Sequence, residues 1–360
     1  MKILDRYLYT KIIVFSISSL IALGFIFGFF KYLEELNNIG IGAYNSLSAL
    51  KYIIYLFPSI LNTLIILSLM MGSVFAIGNL NSNSELQIFY TASYSSTGLI
   101  VKILKFLFGF SVILIILGES ISPISIKFSS DYKNQQLEKN ISFVRRNFWL
   151  KNDQSFLYLE RKDNSDFHSV RLFDIEDLDL KTMVIFQDPT LKSNLLESSS
   201  VEKKTINLKD KFFEIASSNE INQSIEIPLN NDDLETIHND EKTMSIMDLI
   251  KVISYSIDSH TDYRKYAFEL ISRLVKPLTL IGMLLIALPY IFSVSRTIST
   301  GKKVFLAITI GIVTHLLTKF SYVISINVES MEIFGPIVPA FFLICIGIFL
   351  LYNRSGKTTV

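Results

Sequence analysis

The sequence predicts an α-helical membrane protein with six transmembrane helices, three on each side of an inserted extracytoplasmic all-β domain of jelly-roll type. Three observations lead there. Long stretches without Asp, Glu, Lys or Arg cluster towards the two ends of the chain. The middle is polar and broken into short alternating runs. The 360 residues are 50% apolar yet 19% charged, so the two kinds must be segregated along the chain.

The uncharged stretches are Ile12–Phe30, Tyr52–Ser84, Phe106–Gly118, Pro277–Ser295, Val304–Thr318 and Ile333–Asn353. Phe106–Gly118 is short, but its flanks extend it over Leu99–Ser122. About 20 residues cross a bilayer core of roughly 30 Å at 1.5 Å per residue. The first stretch is too long for a signal peptide, and no small-residue cleavage site follows it. Basic residues set the topology. Lys2, Arg6, Lys11, Lys102, Lys105, Arg296, Lys302, Lys303, Arg354 and Lys357 fall on one side, against Lys31 and Lys51 in the short loops of the other. Both termini are therefore expected in the cytoplasm. Residues 1–122 form the first membrane half, 123–245 the inserted domain, and 246–360 a connector with the second half.

In the inserted domain, Phe156-Leu157-Tyr158-Leu159, Ser169-Val170-Arg171-Leu172-Phe173, Met183-Val184-Ile185-Phe186 and Ser224-Ile225-Glu226-Ile227 alternate between apolar and polar or large and small, bounded by Asn, Asp, Ser or Pro. That is strand patterning. Beyond it, Ile246, Leu249, Ile250, Ile253 and Ile257 recur at helical spacing. This amphipathic segment suits a helix packed on the domain or one lying at the membrane interface.

Several function classes drop out. A net charge of +1 offers no field for nucleic acid. One cysteine, Cys345, excludes a disulfide scaffold or a cysteine-rich metal site. His168, His238, His260 and His315 are scattered without metal-ligand spacing. Thr300-Gly301-Lys302-Lys303 fails as a phosphate-binding loop, with Arg296 at the first glycine position and Lys303 where Ser or Thr is needed. No cofactor and no catalytic residue are expected in this chain, so energy for any transport must come from a gradient or a partner.

Ionisable residues inside or at the ends of the spans are candidates for function. Lys31 ends the first span, Glu119 the third, and His315 and Lys319 sit in the fifth. Snorkelling to the headgroups explains Glu119 and Lys319 as readily as a cavity does. His315 suits either pore lining or an interhelical hydrogen bond. Between the second and third spans, Ser84 is placed as an N-cap, with Glu85 in the first helical turn. Leu86, Phe89 and Tyr90 then share a face. Such a short helix serves as a handle for a soluble partner or as a connector resting on the bilayer.

Leu4-Asp5-Arg6-Tyr7, Ser84-Glu85-Leu86, Gly118-Glu119 with Pro123, then Trp149, Lys151, Phe156 and Tyr158, then Tyr266, Glu269, Arg273 and Pro277, and Gly335-Pro336 with Pro339 occur in this order. The ordered set resembles the LptF/LptG lipopolysaccharide-export permease family, and its LptG half more than its LptF half. The resemblance implies a multi-pass protein of the bacterial inner membrane with a periplasmic jelly-roll. It implies an LptF-like permease partner, a pair of LptB-like ATPases consuming ATP and magnesium, an LptC-like single-span protein, a periplasmic LptA-like bridge, and lipopolysaccharide as cargo. By resemblance, Lys31 contacts a lipid A phosphate, and the segment from about 82 to 95 is the coupling helix, where Glu85 faces the ATPase and Leu86 fills its pocket. His315 and Lys319 remain candidates for the cavity lining. Three other readings stay open: the LptF-type half, a four-span permease for lipoprotein release or mechanotransmission, and a membrane-bound enzyme.

Overall fold

The computed structural model describes residues 3–92, 94–137, 147–152, 155–161, 167–176, 179–192, 195–209, 212–220, 223–226, 241, 243–258, 262–293, 300–328 and 331–355. Ile227, His238, His260 and Arg296 lie outside the described residues. In order, the helices are α1 (Ile3–Glu35), α2 (Ser46–Ser82), α3 (Leu86–Thr91), α4 (Ser96–Gln136), α5 (Ile246–Asp258), α6 (Arg264–Ser293), α7 (Thr300–Asn327), α8 (Met331–Phe334) and α9 (Ile337–Ser355). Between α4 and α5 lie nine strands: β1 (Asn147–Asn152), β2 (Ser155–Arg161), β3 (Phe167–Glu176), β4 (Asp179–Gln187), β5 (Thr190–Lys192), β6 (Leu195–Ser198), β7 (Ser200–Lys209), β8 (Phe212–Glu220) and β9 (Gln223–Glu226).

Five of these helices (α1, α2, α4, α6 and α7) are long and apolar enough to cross a membrane. The apolar stretch of α9, Ile337–Asn353, is shorter. The chain divides into two compact units. Unit one comprises Met1–Asn37, Ala49–Ser129 and Arg264–Val360, and unit two Asn38–Ser48 and Ser130–Tyr263.

In unit one a single apolar cluster runs through α1 (Leu8, Ile12), α2 (Leu69, Ile77, Leu80), α4 (Leu99, Ile103, Leu107), α6 (Leu284, Leu288) and α7 (Ala307, Ile310). Helices in lipid gain little from apolar attraction and rely on close packing. Gly72 shows this: a Cβ there would collide with the backbone of Ser16, so α1 and α2 cross in contact. The helix that holds the third apolar stretch, α4, continues beyond Ser122 and through Pro123. Proline removes one backbone hydrogen bond. Here neighbouring hydroxyls bridge to α2, Ser122 to Ser59 at 3.0 Å and Ser125 to the carbonyl of Tyr55, and hold the helix across the break.

Unit two contains two antiparallel sheets, β1-β2-β3-β4-β7-β8 and β5-β6-β9. The alternation along each strand sets the faces. Leu157, Leu159, Val170, Val184, Phe186 and Val201 bury one face of the larger sheet, and Leu196 of the smaller sheet joins the same core. Phe156 stands opposite Phe173, and Phe173 opposite Met183, on the other, half-exposed face. The connector forms α5, started by a reciprocal cap. The Ser245 hydroxyl donates to Asp248 Oδ2 at 2.7 Å, and the Asp248 N–H donates back to Ser245 Oγ at 3.2 Å. Its buried face is Leu249, Val252 and Ser256, and Tyr255 packs on the sheet core. Ile250 and Ile257, expected on the apolar stripe, are exposed. α5 is thus a helix packed on the domain.

Candidate functional site

The turn from α2 to α3 gathers four of the expected site residues: Ser84, Glu85, Leu86 and Phe89. Ser84 does not cap α3. It adopts φ 60°, in the left-handed region, and the helix starts from Glu85 with no side-chain cap bond. The bend at Ser84 ends α2 and turns the following carboxylate back towards α1. Glu85 Oε2 accepts from Lys11 Nζ at 2.8 Å and from Tyr7 Oη at 2.7 Å, while Oε1 accepts from Lys11 at 3.0 Å and from Asn83 Nδ2 at 3.4 Å. Lys11 also donates to Asn79 Oδ1 at 3.3 Å.

Leu86 and Phe89 point inward, at 4% and 1% exposure, and belong to the main apolar cluster with Leu8 and Ile12. The expectation that Leu86 faces outward to fill a partner's pocket is therefore not met. A six-residue helix has one stripe at i, i+3 spacing, and the chain's own core takes it. Tyr90, expected on that stripe, is exposed together with Ile88. After α3 the chain is tied back to α1 again. Tyr94 Oη donates to Asp5 Oδ1 at 3.1 Å, Lys102 Nζ donates to the same oxygen at 2.8 Å, and Lys102 lies 4.2 Å from the centre of the Tyr94 ring.

The hydrogen bond from Lys11 holds the Glu85 carboxyl below its ordinary value. Partial burial opposes this, and the Tyr7 and Asn83 bonds add to it. The carboxylate is thus secured in its charged form at neutral pH, with both oxygens engaged.

The other expected residues lie elsewhere. Lys31 sits near the far end of α1, twenty residues beyond Lys11 and about 30 Å along the axis. It is half-exposed and pairs with Glu34 at 2.7 Å, one helical turn on. His315 and Lys319 occupy one exposed face of α7 at i, i+4 spacing, beside Leu316 and Phe320. Among the described residues no group of three or more His, Cys, Asp or Glu is placed to hold a metal ion.

Sequence reading missed the partners that make these sites specific. Lys11, Lys102 and Asp5 counted there as topology markers or motif letters, although each makes a tertiary contact. Glu119, read as a span-end charge, is held by an arginine of another helix. It accepts from Arg273 Nη1 at 2.8 Å, while Arg273 Nε donates to Glu269 at 2.8 Å, with Arg273 4% exposed. This brace joins α4 to α6. All three residues stand in the ordered motif set, but nothing in the sequence pairs Glu119 with Arg273.

The profile described as "Lipopolysaccharide export system permease LptF/LptG" matches residues 6–353, which covers both helical halves and the strands between them. The chain belongs to the LptF/LptG family. Within it, the chain is 23% identical over 349 residues to the lipopolysaccharide export system permease protein LptG of Haemophilus influenzae Rd, covering 95% of this chain and 96% of that protein. It is 22% identical over 360 residues to the LptG of Escherichia coli K12, covering 98% and 99%. LptF/LptG membership leaves the four-span permease and the membrane-bound enzyme without support.

Proposed function

We propose that this chain is the LptG-type permease half of an inner-membrane exporter that takes lipopolysaccharide from the membrane and passes it to a periplasmic bridge. The observation that carries this reading is the family match over residues 6–353, with LptG proteins similar along nearly the whole length. In this reading α9 is the sixth span, both termini are cytoplasmic, and unit two is a periplasmic jelly-roll. The boundaries fall near 122 and 245.

The chain carries no catalysis of its own. A partner ATPase dimer docks on the α2–α4 turn, with Ser84, Glu85, Leu86 and Phe89 shaping the surface and Ile88 and Tyr90 meeting the partner. An LptF-like chain completes the conduit, an LptC-like protein adds a span, and an LptA-like bridge receives the cargo. The uncovered surfaces support a second membrane chain. Only 28% of the apolar window of α1 and 22% of that of α7 is buried, against 61% for α2. Lys31, His315 and Lys319 lie on these two open helices, and ionisable groups at membrane depth are retained where they meet polar cargo or water. An ammonium at Lys31 suits a lipid phosphate. Acyl chains leaving the bilayer need cover worth about 0.8 kcal/mol per CH₂, which a domain with an apolar interior provides.

Affinity purification in mild detergent tests the reading. An ATPase and a second permease should co-elute with this chain, and elution of the chain alone would refute it.

A further inference from the structure

Helix α5 carries apolar residues on two sides. Leu249 and Val252 are buried on one side, where Tyr255 packs on the sheet core. On the other side Met247, Ile250 and Ile257 are 72%, 49% and 51% exposed, and Ser254 between the last two is exposed as well. Positions 247, 250, 254 and 257 follow helical spacing, so these side chains form one stripe along the outer face. Lys251, also exposed, borders it. A helix that is apolar on both sides is stable where both are covered.

Two observations show what lies near this face. The first is chain length. α5 ends at Asp258 and α6, long and apolar enough to cross a membrane, begins at Arg264. The link between them spans at most about 20 Å. Tyr263, Arg264, Lys265 and Tyr266 stand at the mouth of α6, with the Lys265 ammonium 4.7 Å from the centre of the Tyr266 ring. Aromatic and basic residues at the start of a span mark the headgroup level. The second is the make-up of unit two. It includes Asn38–Ser48, the link between the candidate spans α1 and α2. That link is tied to the rest of the unit by the Ala43 N–H, which donates to the carbonyl of Gln136 at 2.9 Å, and it exposes Ile39, Ile41 and Leu47. Unit two thus holds residues that chain connection alone keeps at the membrane surface.

From this we propose that the outer face of α5 rests on the bilayer, with Met247, Ile250 and Ile257 in the boundary between headgroups and acyl chains and the Lys251 ammonium among the headgroups. α5 is then a second, non-spanning membrane attachment of unit two, in addition to the chain links. Lipid is the occupant rather than another protein, because three side chains on one helix offer well under the roughly 800 Å² per partner of a stable protein interface. A narrow apolar stripe edged by a lysine is what shallow insertion requires, since the lysine stem covers apolar surface while its charge stays in water. The inference rests on the reading of α6 as a span.

The test places nitroxide labels in the complete exporter complex, with cysteine-free partners, in vesicles of phosphatidylethanolamine and phosphatidylglycerol. Cys345, the one cysteine of the chain, is first replaced by serine. M247C, I250C and I257C are labelled in turn. S217C, at an exposed position of β8, is the reference for water, and L278C, at an exposed position of α6, is the reference for lipid. Relaxation by oxygen, which concentrates in lipid, is compared with relaxation by a water-soluble nickel complex. The three α5 labels should be relaxed at least about threefold more by oxygen than by nickel, as insertion of about 5–10 Å requires. The label at S217C should show the reverse. Adding I250D and I257D to the M247C chain should turn its label over to nickel and leave the thermal midpoint nearly unchanged, because both positions are exposed.

Alpha-5 labels relaxed mainly by nickel lie in water and overturn the proposal. Labels shielded from both agents are covered by protein and overturn it too, as does an M247C label that stays with oxygen in the double aspartate variant. A label at L278C that meets nickel refutes α6 as a span, on which the proposal depends, and is told apart from failure at α5 alone.

Discussion

Glu85 and Arg273 show how a charge is held in a mostly apolar protein. Each is held by an oppositely charged partner from another helix, Glu85 by Lys11 and Arg273 by Glu119. Because the folded Glu85 carboxyl titrates below its ordinary value near 4.5, its charged form adds stability that is fully present above that value. That contribution is lost as pH falls through the lower, folded value. The gap in thermal midpoint between wild type and E85Q in detergent should therefore be constant from pH 8 to about 5.5 and shrink on further acidification. Arg273 poses a different case. Removing it strips Glu119 and Glu269 of the guanidinium they share, and breaking a buried pair in this way costs about 3–5 kcal/mol. R273M should lower the midpoint by many degrees, readable by differential scanning fluorimetry. E269Q, which leaves Glu119 still paired with Arg273, should cost much less. At Lys31 stability is not at issue, since the side chain is half-exposed and paired only locally. K31E should leave assembly intact and weaken lipopolysaccharide transfer, measured by crosslinking of cargo to the bridge protein. None of these partners was visible in sequence. Lys11 and Glu85 are 74 positions apart, Arg273 and Glu119 154. A motif names such residues without saying what they touch.

Among the elements, the long helices were the most legible, because hydropathy over about 20 residues is a strong signal. Their ends were not. α4 passes through Pro123 because Ser122 and Ser125 reach α2, a tertiary compensation that no local rule anticipates. The strands were found from alternation, but Leu157 and Leu159 rather than Phe156 and Tyr158 form the core. A period of two identifies two faces and leaves open which is buried when both carry apolar residues. α3 repeats the lesson, since its stripe was legible and its direction was not. Its two faces should separate by experiment. L86A and F89A remove buried side chains and should cost about 2–5 kcal/mol of stability. I88D and Y90A should leave the thermal midpoint within a degree or two and release the ATPase on purification. Gly72 belongs with these elements too. G72V would drive a branched side chain into the backbone of Ser16, separate α1 from α2, and lower the amount of folded protein in membranes.

For the molecule as a whole, unit one presents wide apolar faces that the chain's own residues do not cover. α1 and α7 leave large side chains such as Phe25, Phe30, Phe305 and Phe320 uncovered, with cations among them. Family membership implies further subunits of the same export system as its partners. The central claim is that cargo movement by this chain requires a motor it does not itself contain. The direct measurement is ATP-dependent transfer of lipopolysaccharide from proteoliposomes to the soluble bridge protein, with components added one at a time. The account predicts transfer only when this chain, a second permease and the ATPase are all present. Transfer by this chain without the ATPase would contradict it.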